Sequence, residues 1–256
     1  MDDRPEILLT NDDGIDSPGI RALYEGLSDV GEVTTVAPAT DQSAVGRALS
    51  YEVDVHEHEL GYAVDGTPSD CVVAGLEAFD PDPDIVVAGV NRGANIGMYV
   101  LGRSGTVSAA VESAFFGVPA IAASLYLPQD QFQRETTTDD YEEAVAATRH
   151  LVDNALGAGV FETADYLNVN APLPTDERPR MEITSPSHAY EMTASNDGGT
   201  VKLHDRMWDR MAEGDIPDPE GTDRRAVVEG RVSVSPLTAP HTSEHHEALD
   251  DLAASF

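Results

Sequence analysis

Short apolar runs recur along the chain, each ending at a glycine, a proline or a polar cluster. They are Ile7-Leu8-Leu9-Thr10, Val33-Thr34-Thr35-Val36-Ala37, Pro83 to Gly89, Ala120-Ile121-Ala122-Ala123-Ser124 and Tyr166-Leu167-Asn168-Val169-Asn170. Runs of this length, bounded by turn residues, predict strands buried on both faces. Between them the apolar positions repeat at helical spacing. Ile20, Leu23, Tyr24 and Leu27 follow Pro18 and stop before Gly31. Thr67 is placed to cap a helix that has Pro68 at its first position and Asp70 in its first turn, running to about Phe79. Val107 to Phe116 is closed by Gly117, and Asp139 to Leu156 puts Tyr141, Ala144, Val145, Leu151 and Val152 on one face. Buried strands alternating with amphipathic helices predict an α/β fold, a three-layer Rossmann-like arrangement around a mostly parallel sheet, over residues 1–175.

Two regions break this pattern. Tyr51 to Val55 and Tyr62 to Asp65 alternate about Gly61 and predict a small hairpin. Beyond Pro172, Met181 to Thr184, Thr200 to Leu203 and Ala226 to Val234 read as strands separated by polar loops, so 176–256 is expected to form a hairpin and tail. A hairpin with a weak core of its own is marginal in water, and this one is expected to pack on the core and on a partner subunit. His241 to Phe256 suggests a short helix, with His241, His245 and His246 facing solvent.

Candidate chemistry collects where the predicted strands end. In an open α/β sheet the carboxyl edge is where loops diverge and helix N-termini point into a crevice. The first strand ends there in Asn11-Asp12-Asp13-Gly14. Two carboxylates brought to one point repel unless a cation lies between them, and a hard divalent ion suits oxygen ligands. An acidic turn that caps a helix would use the same residues. Ser43, in the loop after the second strand, offers either a neutral oxygen ligand or an ordinary solvated hydroxyl. Asn91 and Asn95 lie in a loop whose glycines at 89, 93 and 97 permit close backbone approach, although the order is neither a dinucleotide fingerprint nor a P-loop. Ser104-Gly105-Thr106 precedes a helix and provides either an anion site or a plain N-cap.

Composition narrows the possibilities. Hydrophobic residues make up 41% of 256, and no apolar run approaches the roughly 18 residues needed to span a bilayer. The start Met1-Asp2-Asp3-Arg4-Pro5 lacks the features of a signal peptide, so a cytoplasmic protein without membrane association is expected. There are 47 acidic against 15 basic residues, a formal net charge of −32, and Lys202 is the only lysine. Acids spread along the whole length suggest a hydrated surface suited to concentrated salt, as in halophiles; unfolding at low salt is expected. The same surface argues against stable nucleic-acid binding. Cys71 is alone, which excludes an intrachain disulfide, and its apolar neighbours make it a core residue.

Taken together, Asn11-Asp12-Asp13-Gly14, Val36-Ala37-Pro38 with Ser43, Gly66 to Cys71, Gly89 to Gly97, Ser104 to Val107, Gly221-Thr222-Asp223 and Gly230 to Leu237 resemble the SurE family of nucleoside monophosphate phosphatases. The resemblance implies one divalent metal per subunit, Mg²⁺ or Mn²⁺ with Co²⁺ possible, held by Asp12, Asp13, Ser43 and Asn91. It implies Asp12 and Asp13 as the catalytic pair, with substrate contacts from Asn11, Asn95, Ser104, Gly105 and Thr106. It also implies hydrolysis of nucleoside 5′- and 3′-monophosphates and of short polyphosphate, by homodimers or homotetramers that exchange C-terminal elements. With no histidine in the motifs, base work falls to water activated by the ion or to a carboxylate of the pair. An aspartyl-phosphate route through Asp13, or a sensor that binds nucleotide without cleaving it, are the alternatives. The stretch Met98 to Arg103 departs from the family pattern: it lacks an acidic residue, and Arg103 adds a positive charge that contacts phosphate or faces an acidic neighbour.

Overall fold

The computed structural model describes residues 4–79, 82–239, 250 and 253. In chain order the elements are β1 (Glu6–Thr10), α1 (Pro18–Leu27), β2 (Glu32–Pro38), β3 (Val55–His58), β4 (Gly61–Val64), α2 (Pro68–Ala78), β5 (Ile85–Arg92), α3 (Met98–Leu101), α4 (Gly105–Phe115), β6 (Ala120–Leu125), α5 (Glu142–Ala155), β7 (Tyr166–Ala171), β8 (Met181–Ile183), β9 (Met192–Asp197), β10 (Thr200–Asp205), α6 (Arg206–Glu213), α7 (Asp223–Val228) and β11 (Val232–Leu237). Nine strands form one sheet in the order β3-β4-β2-β1-β5-β6-β7-β11-β8. The block from β4 to β7 is parallel throughout. Strand β3 is antiparallel at one edge and β11 runs antiparallel to β7 near the other.

Successive residues of the central strands serve opposite layers, as the period of two demands. Ile7, Leu9, Ile85, Val87 and Ile121 join Ile20 and Leu23 of α1 and Ala144 and Val152 of α5 in one core. Leu8, Val86, Ala88 and Ala122 join Cys71 and Val72 of α2 and Val107 and Ala110 of α4 in the other. Each fully buried aliphatic side chain contributes about 1.5–3 kcal/mol through the water it no longer contacts. The helix starts follow their caps. Thr67 accepts from the Asp70 N–H while the Asp70 carboxylate accepts from the Thr67 N–H, a reciprocal box worth about 1 kcal/mol. Cys71 is completely buried, and burial pushes its thiol far above the ordinary range, as suits a core residue.

Several expectations are corrected. Strand β5 does not stop at Gly89: after an irregularity between Ala88 and Asn91 it pairs again with β6 and continues to Arg92. The small hairpin forms, but its first strand is Val55–His58 rather than Tyr51 to Val55. Ser50 explains the shift, because its N–H and hydroxyl donate to Asp70 at 2.7 and 2.9 Å and hold the preceding segment to the start of α2. Ala226 to Val234 is not one strand. Thr222-Asp223 begins helix α7, Gly230 reverses the chain at φ +74°, and only then does β11 start. The apolar pair Ala226-Val227, read as strand, is buried on that helix instead.

Past residue 175 the chain divides its allegiance. β8 and β11 complete the main sheet. β9 and β10 form a separate antiparallel hairpin about Gly198 and Gly199, with Val201 and Leu203 56% and 72% exposed. The partner of β10 is therefore Met192–Asp197, a polar segment with no strand signature. The expected tail helix lies outside the described residues except at Asp250 and Ala253, which are helical. His241, His245 and His246 lie outside them too. Among the described residues no helix is long and apolar enough to cross a membrane.

Candidate metal and phosphate site

Strand β1 delivers Asp12 and Asp13 to the carboxyl edge of the sheet, and the turn after it is fastened from several directions. The Asn11 side chain donates to the Gly14 carbonyl at 2.8 Å and to Ser17 Oγ at 2.9 Å. The Gln42 N–H donates to the Asp12 carbonyl at 2.7 Å, tying the loop after β2 to the loop after β1. These bonds end the strand, and the two acids remain near enough for the charge of Asp12 to act on Asp13.

Asp12 is 3% exposed. One oxygen accepts from the Thr106 hydroxyl, and the Thr106 N–H also donates to the carboxylate from the first turn of α4. Gly105 makes that approach possible: a Cβ there would stand 2.8 Å from the Asp12 Cβ. Asp13 accepts from the Arg92 N–H at 2.7 Å, where β5 ends. Burial, then the charge of Asp12, raises the Asp13 pKa to about 7 against the help of that N–H, and the Asp41 carboxylate pushes the same way. Burial likewise raises Asp12. Neither acid forms an ion pair among the described residues.

Ser43 is oriented by Asp41, whose Oδ1 accepts from its hydroxyl at 2.6 Å and its N–H at 2.7 Å. The Asn91 amide group donates to the Gly93 carbonyl at 2.6 Å, which turns Oδ1 the other way. Asn95 is held from behind. Its N–H donates to Asn170 Oδ1 at 2.8 Å, its amide group to Ser124 Oγ at 2.9 Å, and its carbonyl accepts from the Asn168 and Asn170 amide groups. Ser104 caps α4 by accepting from the Val107 N–H at 3.1 Å, and its hydroxyl proton remains available to donate.

Asp12, Ser43, Asn91, Asn95 and Ser104 line one cleft of about 270 Å³. Asp13, expected as a metal ligand beside Asp12, is not among its lining residues, and neither are Asn11, Gly105 and Thr106, expected as substrate contacts. Asn11 is completely buried in the turn, and Gly105 and Thr106 stand behind Asp12, holding it. The reason is geometric: the two segments meet carboxylate to helix start, and the Thr106 hydroxyl and N–H are spent on Asp12. A wider depression of about 620 Å³ lies elsewhere, between Tyr126, Arg134 and Pro172. Its Asp140 already accepts both Arg134 Nη donors, which satisfies the one cationic side chain lining it among the described residues.

Other cleft residues carried no local signal. Leu127, Phe132 and Trp208 form an apolar wall, and Trp208 arrives from α6, far along the chain. The Arg92 N–H and the Asn168–Asn170 pair behind Asn95 are equally long-range. Among the described residues no histidine lines the cleft, and no group of three or more His, Cys, Asp or Glu side chains is gathered to hold a metal. Any ion here would rely on two carboxylates completed by neutral oxygens. That donor set suits a hard divalent cation, and two adjacent acids, neither in an ion pair among the described residues, are the observation that fits one.

The fold and the cleft define a class: parallel-sheet α/β proteins with an oxygen-rich acidic site at the carboxyl edge. Comparison with known proteins narrows it. The family described as Survival protein SurE matches residues 7–193, and the chain belongs to that SurE family. It is 67% identical to the 5′-nucleotidase SurE of Halobacterium salinarum over 255 residues, 99% of each chain. It is 60% identical to the 5′-nucleotidase SurE of Haloquadratum walsbyi, covering 100% of this chain and 98% of that one. A crystal structure of the SurE protein from Aquifex aeolicus superposes with a TM-score of 0.79 at 32% identity, covering 98% of this chain and 99% of the other.

Proposed function

We propose that this protein is a divalent-metal-dependent phosphomonoesterase that hydrolyses nucleoside 5′- and 3′-monophosphates to nucleoside and orthophosphate, and acts on short polyphosphate. The observation that carries the reading is the Asp12–Asp13 pair at the sheet edge, Asp12 buried and Asp13 half-buried, with no ion pair to either acid among the described residues. The full-length likeness to proteins named 5′-nucleotidase SurE supports the substrate class.

Asp12, Asp13, Ser43 and Asn91 would hold one Mg²⁺ or Mn²⁺, with Co²⁺ as a substitute. When bound, the ion supplies Lewis acidity and offsets negative charge on the phosphoryl oxygens. The chain does the rest. Thr106 fixes Asp12 and Arg92 fixes Asp13 through backbone and hydroxyl donors, so the acids need no rearrangement as charge develops. Asn95 and Ser104 orient the phosphoryl group. Leu127, Phe132 and Trp208 exclude water and offer faces to the nucleobase. Asp13 Oδ1, the oxygen not engaged by Arg92, is the acceptor available for the attacking water's proton.

The enzyme would work in the concentrated salt of the cytoplasm to which its acidic surface is suited, as a homodimer or homotetramer. The β9–β10 hairpin, with Val201 and Leu203 exposed, would supply the subunit contact and 1–175 the catalytic core. The test is phosphate release from a panel of nucleotides in molar KCl, with EDTA and with Mg²⁺, Mn²⁺ or Co²⁺. Release with metal and none with EDTA is expected. Nucleotide binding with no release in any metal would replace the enzyme by a sensor.

A further inference from the structure

Arg103, which the sequence left between a phosphate contact and an acidic neighbour, lines the same cleft as Asp12, Asn95 and Ser104. Its surroundings are unusual for this chain. With 47 acids against 15 bases, most described arginines lie against a carboxylate, as Arg134 lies against Asp140 and Arg231 against Glu182. Arg103 forms no ion pair among the described residues. Its guanidinium lies instead over the rings of Tyr99 and Tyr190, at 5.5 and 6.0 Å, and donates only a long bond of 3.4 Å to the Tyr190 hydroxyl.

That platform is fixed. The two rings meet at 4.8 Å and 60°, and the Tyr99 hydroxyl donates to Asp205 at 2.6 Å. Asp205 is itself the N-cap of α6, the helix that brings Trp208 to the cleft. Burial, then the Asp205 bond, pushes the Tyr99 phenol well above its ordinary range, so it remains a neutral donor and a neutral surface. A guanidinium held by aromatic faces keeps its full charge and its edge donors, whereas one held by a carboxylate has both satisfied. The other arginine of the cleft, Arg92, differs on this point: its guanidinium donates to the Phe132 and Arg134 carbonyls and packs over Phe132, which makes it a brace for the wall.

The cleft therefore has at one place Asp12, with Asp13 next to it, engaged in no ion pair among the described residues, and at another a guanidinium that is also in none. A phosphoryl group that shares an ion with Asp12 and Asp13 has further anionic oxygens to satisfy. We propose that Arg103 donates to a non-bridging phosphoryl oxygen of the substrate, and that it distinguishes phosphorylated from unphosphorylated nucleoside. This rests on the reading of the cleft as a phosphomonoesterase site. A charge-assisted bond of this kind changes affinity by about 10-fold or more.

Inhibition constants for orthophosphate and for a nucleoside, with KM and kcat for its 5′-monophosphate, would be measured in wild type, Arg103→Lys and Arg103→Met, with Mn²⁺ in molar KCl. Arg103 is exposed, so the melting temperature should hold. In Arg103→Met, orthophosphate inhibition and KM should weaken by about 10-fold or more while nucleoside inhibition stays constant, with Arg103→Lys between. Unchanged orthophosphate inhibition, or equal weakening of orthophosphate and nucleoside, overturns the proposal. If wild type releases no phosphate, calorimetric titration of orthophosphate into the Mn²⁺-loaded protein still decides. Binding lost in Arg103→Met upholds the contact although the hydrolytic reading has failed. No binding by wild type, or equal binding by the variant, overturns it.

Discussion

Two buried acidic sites in this molecule meet the same physical problem and resolve it differently. Near the C-terminus, Asp218, Asp223 and Arg224 are 2%, 0% and 1% exposed. The Arg224 guanidinium donates to both oxygens of Asp218 at 2.9 and 3.1 Å, and the Ser187 hydroxyl donates to the same carboxylate. Asp223 accepts three backbone N–H groups, from Gly97, Ser187 and Arg224, at 2.7 to 2.9 Å. Asp218 has a cation in contact and Asp223 has its backbone donors, one guanidinium serving both acids. At the rim of the sheet, Asp12 and Asp13 receive a hydroxyl and backbone donors but no ion pair among the described residues, the Arg92 charge acting on Asp13 only from beyond contact. Burial raises Asp223 as it raises Asp12 and Asp13, so burial alone does not separate the two sites. A contacting ion pair does. Where the chain supplies one, the acids bind the C-terminal segment to the glycine loop; where it supplies none, the acids are the ones proposed above to take a ligand.

The contrast is sharpest in Asp12→Asn and Asp13→Asn. Each should lower turnover about a thousandfold or more while leaving metal-free stability intact or improved, because the substitution relieves repulsion. Substantial residual turnover with saturating Mn²⁺ would break the comparison. Next in size is Arg224→Met, which strands a buried Asp218. It should cost about 3–5 kcal/mol in urea unfolding, and Asp218→Asn in the same chain should recover part of the loss. A neutral Arg224→Met would mean that the C-terminal charges are no better compensated than those at the rim.

The smallest effect is in the pH dependence. A carboxyl raised from 3.8 to about 7 in the folded protein binds its proton more tightly there than when unfolded. Its stabilising contribution is therefore present below about pH 4, falls as the pH rises, and is gone above about 7. Without metal, Asp13→Asn should gain on wild type in melting temperature across that window and hold a constant advantage above it. Metal competes with the same proton, so the stabilisation that Mn²⁺ gives wild type should grow as the pH rises through about 7. A flat difference between the two proteins would show that Asp13 carries no strained charge.

Local chemistry announced much of this molecule. The Asn11 to Gly14 turn, the Thr67–Asp70 box and the Ser104 cap each act within three or four residues, and each stands where the sequence indicates. The strands that alternate between two cores were legible for the same reason, since a period of two is a property of the backbone itself. Errors fell where local signals were ambiguous or absent. Ala226-Val227-Val228 suits a helix as well as a strand, and Met192–Asp197 pairs through its backbone with no apolar pattern to reveal it.

The sequence by itself determined the element types, their order, and the motif set that puts acids, asparagines and a helix start at one edge. Only the tertiary structure decided which donor meets which acceptor. Thr106 reaches Asp12 across 94 residues, Arg92 reaches Asp13 across 79, and Gly97 reaches Asp223 across 126. Those pairings set Gly105 and Thr106 against Asp12, brought Trp208 into the cleft, and left Arg103 facing tyrosines rather than an acid. The physical reason is that periodicity and capping are set by neighbours along the chain. The satisfaction of a buried charge depends instead on how separate segments pack, which no local pattern records.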